Sequence, residues 1–292
     1  MRNFYCIHYS ESNTTNQNIR MLLEQACKKR KIKYCLIDAR LVNTIKNLPK
    51  LYPNDILYRP STHKKAIKVE KLLINNSAST FYINKSKKGF LDRDDRVGKI
   101  LMRNQIPIPK TIFDIDNNRA KLKKWVKQVG NFPIIIKKID GERGVGVIKV
   151  DSWECLVSLM DYLITTKDRF VMKEYIKVSR PIHSYRAIVL GNKIEIAYKN
   201  ISLEKNDFRS NANQKKRKRE IVQLKIKSKQ TIVKAVSILG LKLGAVDFAY
   251  NKKGNMKIFE INFPYNFVPI VNDLKYPIHE KMIDYLIEKN DH

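Results

Sequence analysis

Asp247, Glu260 and Asn262 have the chemistry of a hard-metal site, and they fall in one stretch, GAVDFAYNKKGNMKIFEINF. Two strand-like runs around a short Gly-containing turn predict an antiparallel hairpin. A period of two puts Glu260 and Asn262 on one face of the second run, with Met256 and Ile258 preceding them there. Ala245 and Ala249 flank Asp247 on its own face and leave room around the carboxylate. Two carboxylates and an amide oxygen suit magnesium, which takes oxygen ligands and keeps positions for phosphate and water. A solvent-facing polar stripe would use the same residues, but the apolar INFPYNF after Glu260 argues against an exposed edge.

A second constellation is IIIKKIDGERGVGVIKV, with Gly141, Gly144 and Gly146 behind Lys137 and Lys138. A Walker-type loop would end in Lys-Ser/Thr and open a helix, and a dinucleotide loop would also run into a helix. Here the glycines run into VGVIKV, which is β-branched and therefore strand. The segment reads as a hairpin tip whose backbone N–H groups can approach phosphate oxygens. An ordinary hairpin loop is the competing reading. The third constellation is DFRSN (207–211), whose Arg209 would suit an anionic transition state if the fold brings it to the other two. The basic run Lys215, Lys216, Arg217, Lys218 and Arg219 behind it reads most simply as a solvated loop, and alternatively as a trap for an acidic substrate.

Residues 1 to about 90 alternate strand and helix, from NFYCIHY through an amphipathic helix capped at Thr15 or Asn16 to KYCLIDA and DILYRP. This predicts a parallel sheet with crossover helices. DRDDR (92–96) and a helix VGKILMRNQ follow, and Pro107 and Pro109 force an extended exit. Beyond the glycine hairpin come a helix near 153, the strand RFVMKEYI, a hairpin turning at Gly191-Asn192, and a polar loop over 202–220. A helix near 227–239, the Asp247–Asn262 hairpin and a last amphipathic helix close the chain.

The 292 residues carry 58 Lys plus Arg against 28 Asp plus Glu, a net charge of +30. That field attracts anions, although a Lys-, Ile- and Asn-rich composition explains much of it as solvated surface lysine. A nucleic-acid partner is disfavoured, because the basic run has no aromatic neighbour closer than Phe208 to act as a stacking platform. No apolar run reaches the roughly 18–20 residues that span a bilayer. Cys6, Cys27, Cys35 and Cys155 are scattered without a C-x-x-C pair, which argues for reduced thiols in the cytoplasm rather than a zinc site.

In this order and spacing, IPIPKT, FPIIIKKIDGERGVGV, FVMKEYI, YRAIVLGNKI, DFRSN, AVDF and FEIN resemble the ATP-grasp superfamily, specifically its RimK-like branch of amino-acid and peptide ligases. The resemblance implies a mixed α/β and α+β chain: an N-terminal parallel-sheet domain (1–91), a central lid subdomain (92–176), and a C-terminal subdomain with the metal site (177–292). It implies that Lys137 binds ATP phosphates and that the three glycines form the lid. Glu174 and Tyr175, with Ile176 nearby, correspond to the hinge whose backbone contacts adenine. Arg186 corresponds to an arginine near the acyl phosphate, and Arg209 and Asn211 to a phosphate-side pair. Asp247, Glu260 and Asn262 correspond to ligands of two magnesium ions bridged by Glu260, with manganese as a substitute.

Three departures stand out. Ser184 replaces an aspartate associated with the nucleotide, and DRDDR leaves Arg93, Arg96 or Lys99 for another nucleotide contact. The glycines that follow Arg-Ser-Asn in the family are replaced by the basic run. The implied activity joins a carboxylate to an amine through an acyl phosphate. The acceptor would be a protein, peptide or amino acid and, given the basic run, an acidic one. Cross-linking of side chains in a ribosomal peptide and a non-catalytic ATP-binding module are alternatives, and homo-oligomerisation is left open.

Overall fold

The computed structural model describes residues 2–9, 14–43, 47–74, 78–83, 94–139, 141, 144–204, 207–209 and 217–288. Asn211, Arg93, Lys215, Lys216 and the expected boundary near residue 91 lie outside them.

Strands β1 (Asn3–His8), β2 (Lys33–Asp38) and β3 (Ile56–Tyr58) form a parallel sheet in the order β2-β1-β3, as the alternation of strand and helix predicts. Helix α1 (Thr14–Lys29) buries Ile19, Leu23, Ala26 and Cys27, one face at helical spacing. In α2 (Lys64–Leu73) Ala66, Val69 and Leu73 do the same. Helix α3 (Asp94–Arg103) leads to Pro107 and Pro109 and the short β4 (Thr111–Ile112). Helix α4 (Arg119–Val129) then precedes the hairpin of β5 (Ile134–Lys138) and β6 (Val147–Val150). Helix α5 (Trp153–Leu163), capped by Ser152 Oγ on the Cys155 N–H, precedes β7 (Phe170–Glu174). These strands form a second sheet, β4-β7-β5-β6, antiparallel throughout.

The third sheet, β10-β9-β8-β11-β12, is also antiparallel. It consists of β8 (His183–Leu190), β9 (Lys193–Ser202), β10 (Arg217–Ile221), β11 (Leu243–Tyr250) and β12 (Met256–Asn262). Helices α6 (Ile226–Ser237), α7 (Val268–Leu274) and α8 (Ile278–Glu288) complete the chain. Among the described residues no helix is long and apolar enough to cross a membrane.

Two corrections to the sequence reading follow. Arg217–Ile221 is a strand paired with β9 rather than part of a solvated loop. Its charged side chains can lay their aliphatic stems on the sheet, which the basic composition hides. In β12 the pairing passes from Asp247–Glu260 to Phe248–Ile258, so Phe259 is an extra, bulged residue. The bulge breaks the period of two. Ile258 and Ile261 share the buried face, and Lys257 joins Glu260 and Asn262 in place of Met256 and Ile258.

Two separate hydrophobic cores form among the described residues. The larger joins the parallel sheet, α3, the third sheet and the C-terminal helices. The smaller is confined to α4, α5 and β5–β7. Phe263, immediately after Asn262, packs on Tyr58, Phe81 and Tyr82 at centroid distances between 5.4 and 6.5 Å. That contact ties the parallel sheet to the end of the metal-type hairpin. Ion pairs from Lys29 to Glu280 and from Arg30 to Asp284 clamp α1 onto α8.

Candidate active site

Directly opposed residues in an antiparallel ladder project to the same face. The register of the third sheet therefore places Glu260, Asp247, Arg186 and Tyr198 in one row across four strands. Arg186 grips Asp247 with both arms: Nε donates to Oδ1 and Nη2 to Oδ2, each at 2.6 Å. Burial opposes the Arg186 charge, but Asp247 beside it holds the guanidinium well above its ordinary range. Asn262 Nδ2 lies 3.5 Å from Asp247 Oδ2. Lys137 Nζ approaches from the other core to 3.7 Å from Glu260 Oε2. Asp247, Glu260, Asn262, Arg186 and Lys137 are therefore brought together, with each carboxylate facing a cation.

The glycine segment is a strand-to-strand hairpin, with β5 and β6 paired from Ile134–Val150 to Lys137–Val147. Gly144 and Gly146 have φ of 77° and 76°. A Cβ on Gly146 would stand 2.7 Å from the Cβ of Lys138, and one on Gly141 2.6 Å from the Val145 carbonyl oxygen. Side chains are thus excluded where the loop folds on itself.

Arg209 meets this hairpin, donating from Nη1 to the Gly144 carbonyl at 2.9 Å. Asp207 aims it, accepting from Arg209 Nε at 3.0 Å and Nη2 at 2.9 Å and from its backbone N–H at 2.8 Å. That bonding raises the Arg209 pKa. Between them, Phe208 sets its ring edge-on to Tyr175 at 6.4 Å, and Lys149 Nζ lies 5.6 Å from the Tyr175 ring centre. The hinge-type segment, the glycine hairpin and the arginine loop therefore converge.

Glu174 donates its N–H to the Lys110 carbonyl at 2.8 Å, and its carboxylate lies 4.0 Å from Lys257 Nζ. Ile176 is a buried core residue, and Ser184 is buried on β8 opposite Asn200. Lys99 pairs instead with Asp114 at 2.9 Å, in a recess shared with Asp95, Arg96, Arg103 and Arg169.

Lys257 and Asp207 escaped the sequence reading. Lys257 reaches the site face through the bulge, which alternation cannot reveal. Asp207 had a local signal, a carboxylate two residues before an arginine in a loop. No group of three His, Cys, Asp or Glu side chains forms a metal cluster among the described residues. An ion here would take two carboxylates and one amide oxygen, and draw its remaining ligands from phosphate and water. That donor set fits magnesium, which commonly binds one or two carboxylates together with substrate phosphates.

The model of the RimK-like ATP-grasp domain matches residues 93–286. A probable alpha-L-glutamate ligase from Rhodopirellula baltica is 31% identical over 193 residues, covering 66% of this chain and 46% of that protein. The chain therefore spans about half the length of that curated relative. Among solved structures, the ATP-grasp ligase PsnB complexed with a minimal precursor superposes with a TM-score of 0.75 at 12% identity, covering 99% of this chain and 100% of that one. The D-alanine–D-alanine ligase of Bacillus anthracis gives 0.71 at 17% identity, covering 99% and 97%. These likenesses show an ATP-grasp fold.

Proposed function

The chain belongs to the RimK-like ATP-grasp family, and from that premise we propose that it is an ADP-forming ligase joining a carboxylate to an amine. The observation that carries the reading is the row Glu260–Asp247–Arg186, met by Lys137 beneath a glycine hairpin that Arg209 touches. The substrate carboxylate attacks the γ-phosphorus of ATP, and the bond to the β–γ bridging oxygen breaks to release ADP. An amine then attacks the acyl carbon, phosphate departs, and the amine loses its proton. Positioning and charge neutralisation suffice for such transfers.

Asp247, Glu260 and Asn262 would hold two magnesium ions, or manganese in their place. The bound metal would neutralise phosphate charge. Lys137, Arg209 and Asn211 bind phosphate oxygens. Arg186, while gripping Asp247, adds its positive charge near the reacting carboxylate. Backbone N–H groups around Gly141, Gly144 and Gly146 cover the triphosphate, while Glu174, Tyr175 and Ile176 border the base. Ser184, on the same sheet face as Arg186, belongs to the nucleotide set. Lys99, held by Asp114, is the weakest member of the nucleotide set. In this reading the segment 92–176 acts as the lid over 177–292, with 1–91 as the preceding domain. The four free cysteines suit a reducing, cytoplasmic compartment.

The acceptor is an amino acid, peptide or protein. The similarity to PsnB, a ligase complexed with its precursor, favours a ribosomal-peptide substrate as the second reading. Incubation with ATP, magnesium and pooled amino acids or peptides should yield ADP and a new amide, read by mass spectrometry. Asp247→Asn or Glu260→Gln should lower turnover by about 10²-fold or more. Full ATP-dependent ligation by either variant would sink the metal assignment.

A further inference from the structure

Among the described residues the chain passes between its two cores twice, and the two crossings lie side by side. On the way out, Ile106 and Ile108 pack on the larger core and Ile112 on the smaller. On the way back, Met172 is in the smaller core and Ala187 in the larger. The crossings are pinned to each other reciprocally. The Glu174 N–H donates to the Lys110 carbonyl at 2.8 Å, and the Lys110 N–H donates to Glu174 Oε2 at 3.1 Å. Pro107 and Pro109 have their φ fixed by the ring, which keeps the outward strap stiff.

Strand β12 of the larger core holds this junction. The Ile258 N–H donates to the Pro107 carbonyl at 2.7 Å. Lys257 Nζ donates to the Ile108 carbonyl at 3.2 Å and stands 4.0 Å from Glu174 Oε2, so one side chain meets both crossings. Lys257 shares its face of β12 with Glu260, which Lys137 of the smaller core approaches to 3.7 Å. The smaller core therefore meets one face of one strand at two points, a hinge end at Lys257 and a working end at Glu260. Any rotation about the hinge end displaces Lys137 at the working end. A misplacement of 1 Å is enough to cost about 10²-fold in rate.

We propose that Lys257 is a positioning residue, which fixes the angle at which the smaller core carries Lys137 and the glycine hairpin over Asp247, Glu260 and Asn262. It acts through Glu174 and the Ile108 carbonyl and touches no reacting atom. The bulge at Phe259 makes this possible, since strict alternation would not set Lys257 and Glu260 on one face. Glu174 thereby has a task for its side chain as well as its backbone: its carboxylate joins the outward strap, the return crossing and β12. Calling the closed site catalytic rests on the ligase reading above, whereas the hinge itself does not.

The test compares the full chain with Lys257→Met, Glu174→Gln, the double variant and Lys257→Arg. Spin labels on the exposed Cys155 of α5 and on a cysteine placed at the exposed Lys229 of α6 would report the distance between the cores, with half-buried Cys35 replaced by Ser throughout. Pulsed electron resonance should give one narrow distance distribution for the native pair and for Lys257→Arg, and a broader one for Lys257→Met and for Glu174→Gln. Magnesium with a non-hydrolysable ATP analogue, titrated calorimetrically, should bind about 5-fold more weakly to each of these two variants, because the closed arrangement is less populated. The double variant should lose no more than either single one, as for two groups acting as a unit. An unchanged distribution in Lys257→Met, or losses that add in the double variant, would overturn the proposal. Weaker analogue binding with an unchanged distribution would do the same and assign Lys257 to the nucleotide. Broadened distributions and a coupled pair, in a chain that forms no amide with ATP, would defeat the ligase reading and leave the hinge assignment standing. ATP-dependent amide formation with native kcat and a native distribution in Lys257→Met would do the reverse.

Discussion

At Asp247 a carboxylate is held where water is scarce, at Glu260 one stands partly open to it, and Arg186 and Lys137 answer them. These residues are legible from sequence because their chemistry is unusual for strands and their spacing repeats a hairpin's. Lys257 is not legible, because lysine abounds in this chain and only the bulge puts this one on the face of Glu260. Burial governs His279, which is 6% exposed, stacked on Phe267, and has an Nδ1 without a hydrogen bond. Burial lowers its pKa below 6.5; Glu280 opposes the shift, and Lys29 and Arg30 add to it. The folded chain therefore keeps this ring neutral while the unfolded chain takes up a proton as pH falls through about 6.5. Its contribution to stability is complete above that pH and is lost below it, toward the lowered folded value. The urea midpoint should fall between pH 7.5 and 5.5, and His279→Phe should flatten part of that slope. An equally steep slope in the variant would refute the assignment.

At the scale of the element, the glycine hairpin was readable because β-branched residues on both sides exclude a helix. What could not be read was which glycine is indispensable. Gly146 combines φ of 76° with a Cβ position 2.7 Å from Lys138 Cβ. Gly254, in the turn between β11 and β12, has φ of 75° and open space around it. Gly254→Ala should cost about 1–2 kcal/mol from the left-handed backbone alone. Gly146→Ala should cost that and more, and should also weaken ATP binding, since the clash falls in the proposed phosphate loop. Thermal melts with and without nucleotide would check both. Equal losses and equal nucleotide affinities would refute the packing argument. Strand β10 went unread for a related reason. Charged residues have low strand propensity, and only pairing with β9 supplies what local sequence lacks.

For the molecule as a whole, the division into two cores decides how the site is assembled. Lys137, Gly144 and Tyr175 sit on the smaller core, whereas Asp247, Arg186 and Glu260 sit on the larger. Lys137–Glu260, Glu174–Lys257 and Arg209–Gly144, polar contacts between them, are replaceable by water. The smaller core should therefore open as its own cooperative unit below the global unfolding free energy. Amides of Ile134, Ile136 and Met172 should exchange together and faster than those of Ile188 and Val246. A nucleotide at about 100 times its Kd should slow the first group about 100-fold, if that opening abolishes binding. Hydrogen-exchange mass spectrometry would show it, and a single exchange rate across both cores would contradict it.

The bulge at Phe259 has a consequence for how this hairpin tolerates a shortened gene. Paired residues on β11 and β12 keep count in twos, so loss of Lys257 or Ile258 would close the ladder by drawing Phe259 into a paired, core-facing position. Loss of Phe259 itself would not. Lys257, Ile258, Glu260, Ile261 and Asn262 would close up into strict alternation with every side chain on its present face. What would vanish is the local bend and added twist, so an in-frame codon deletion there separates where the hairpin points from which residues it presents.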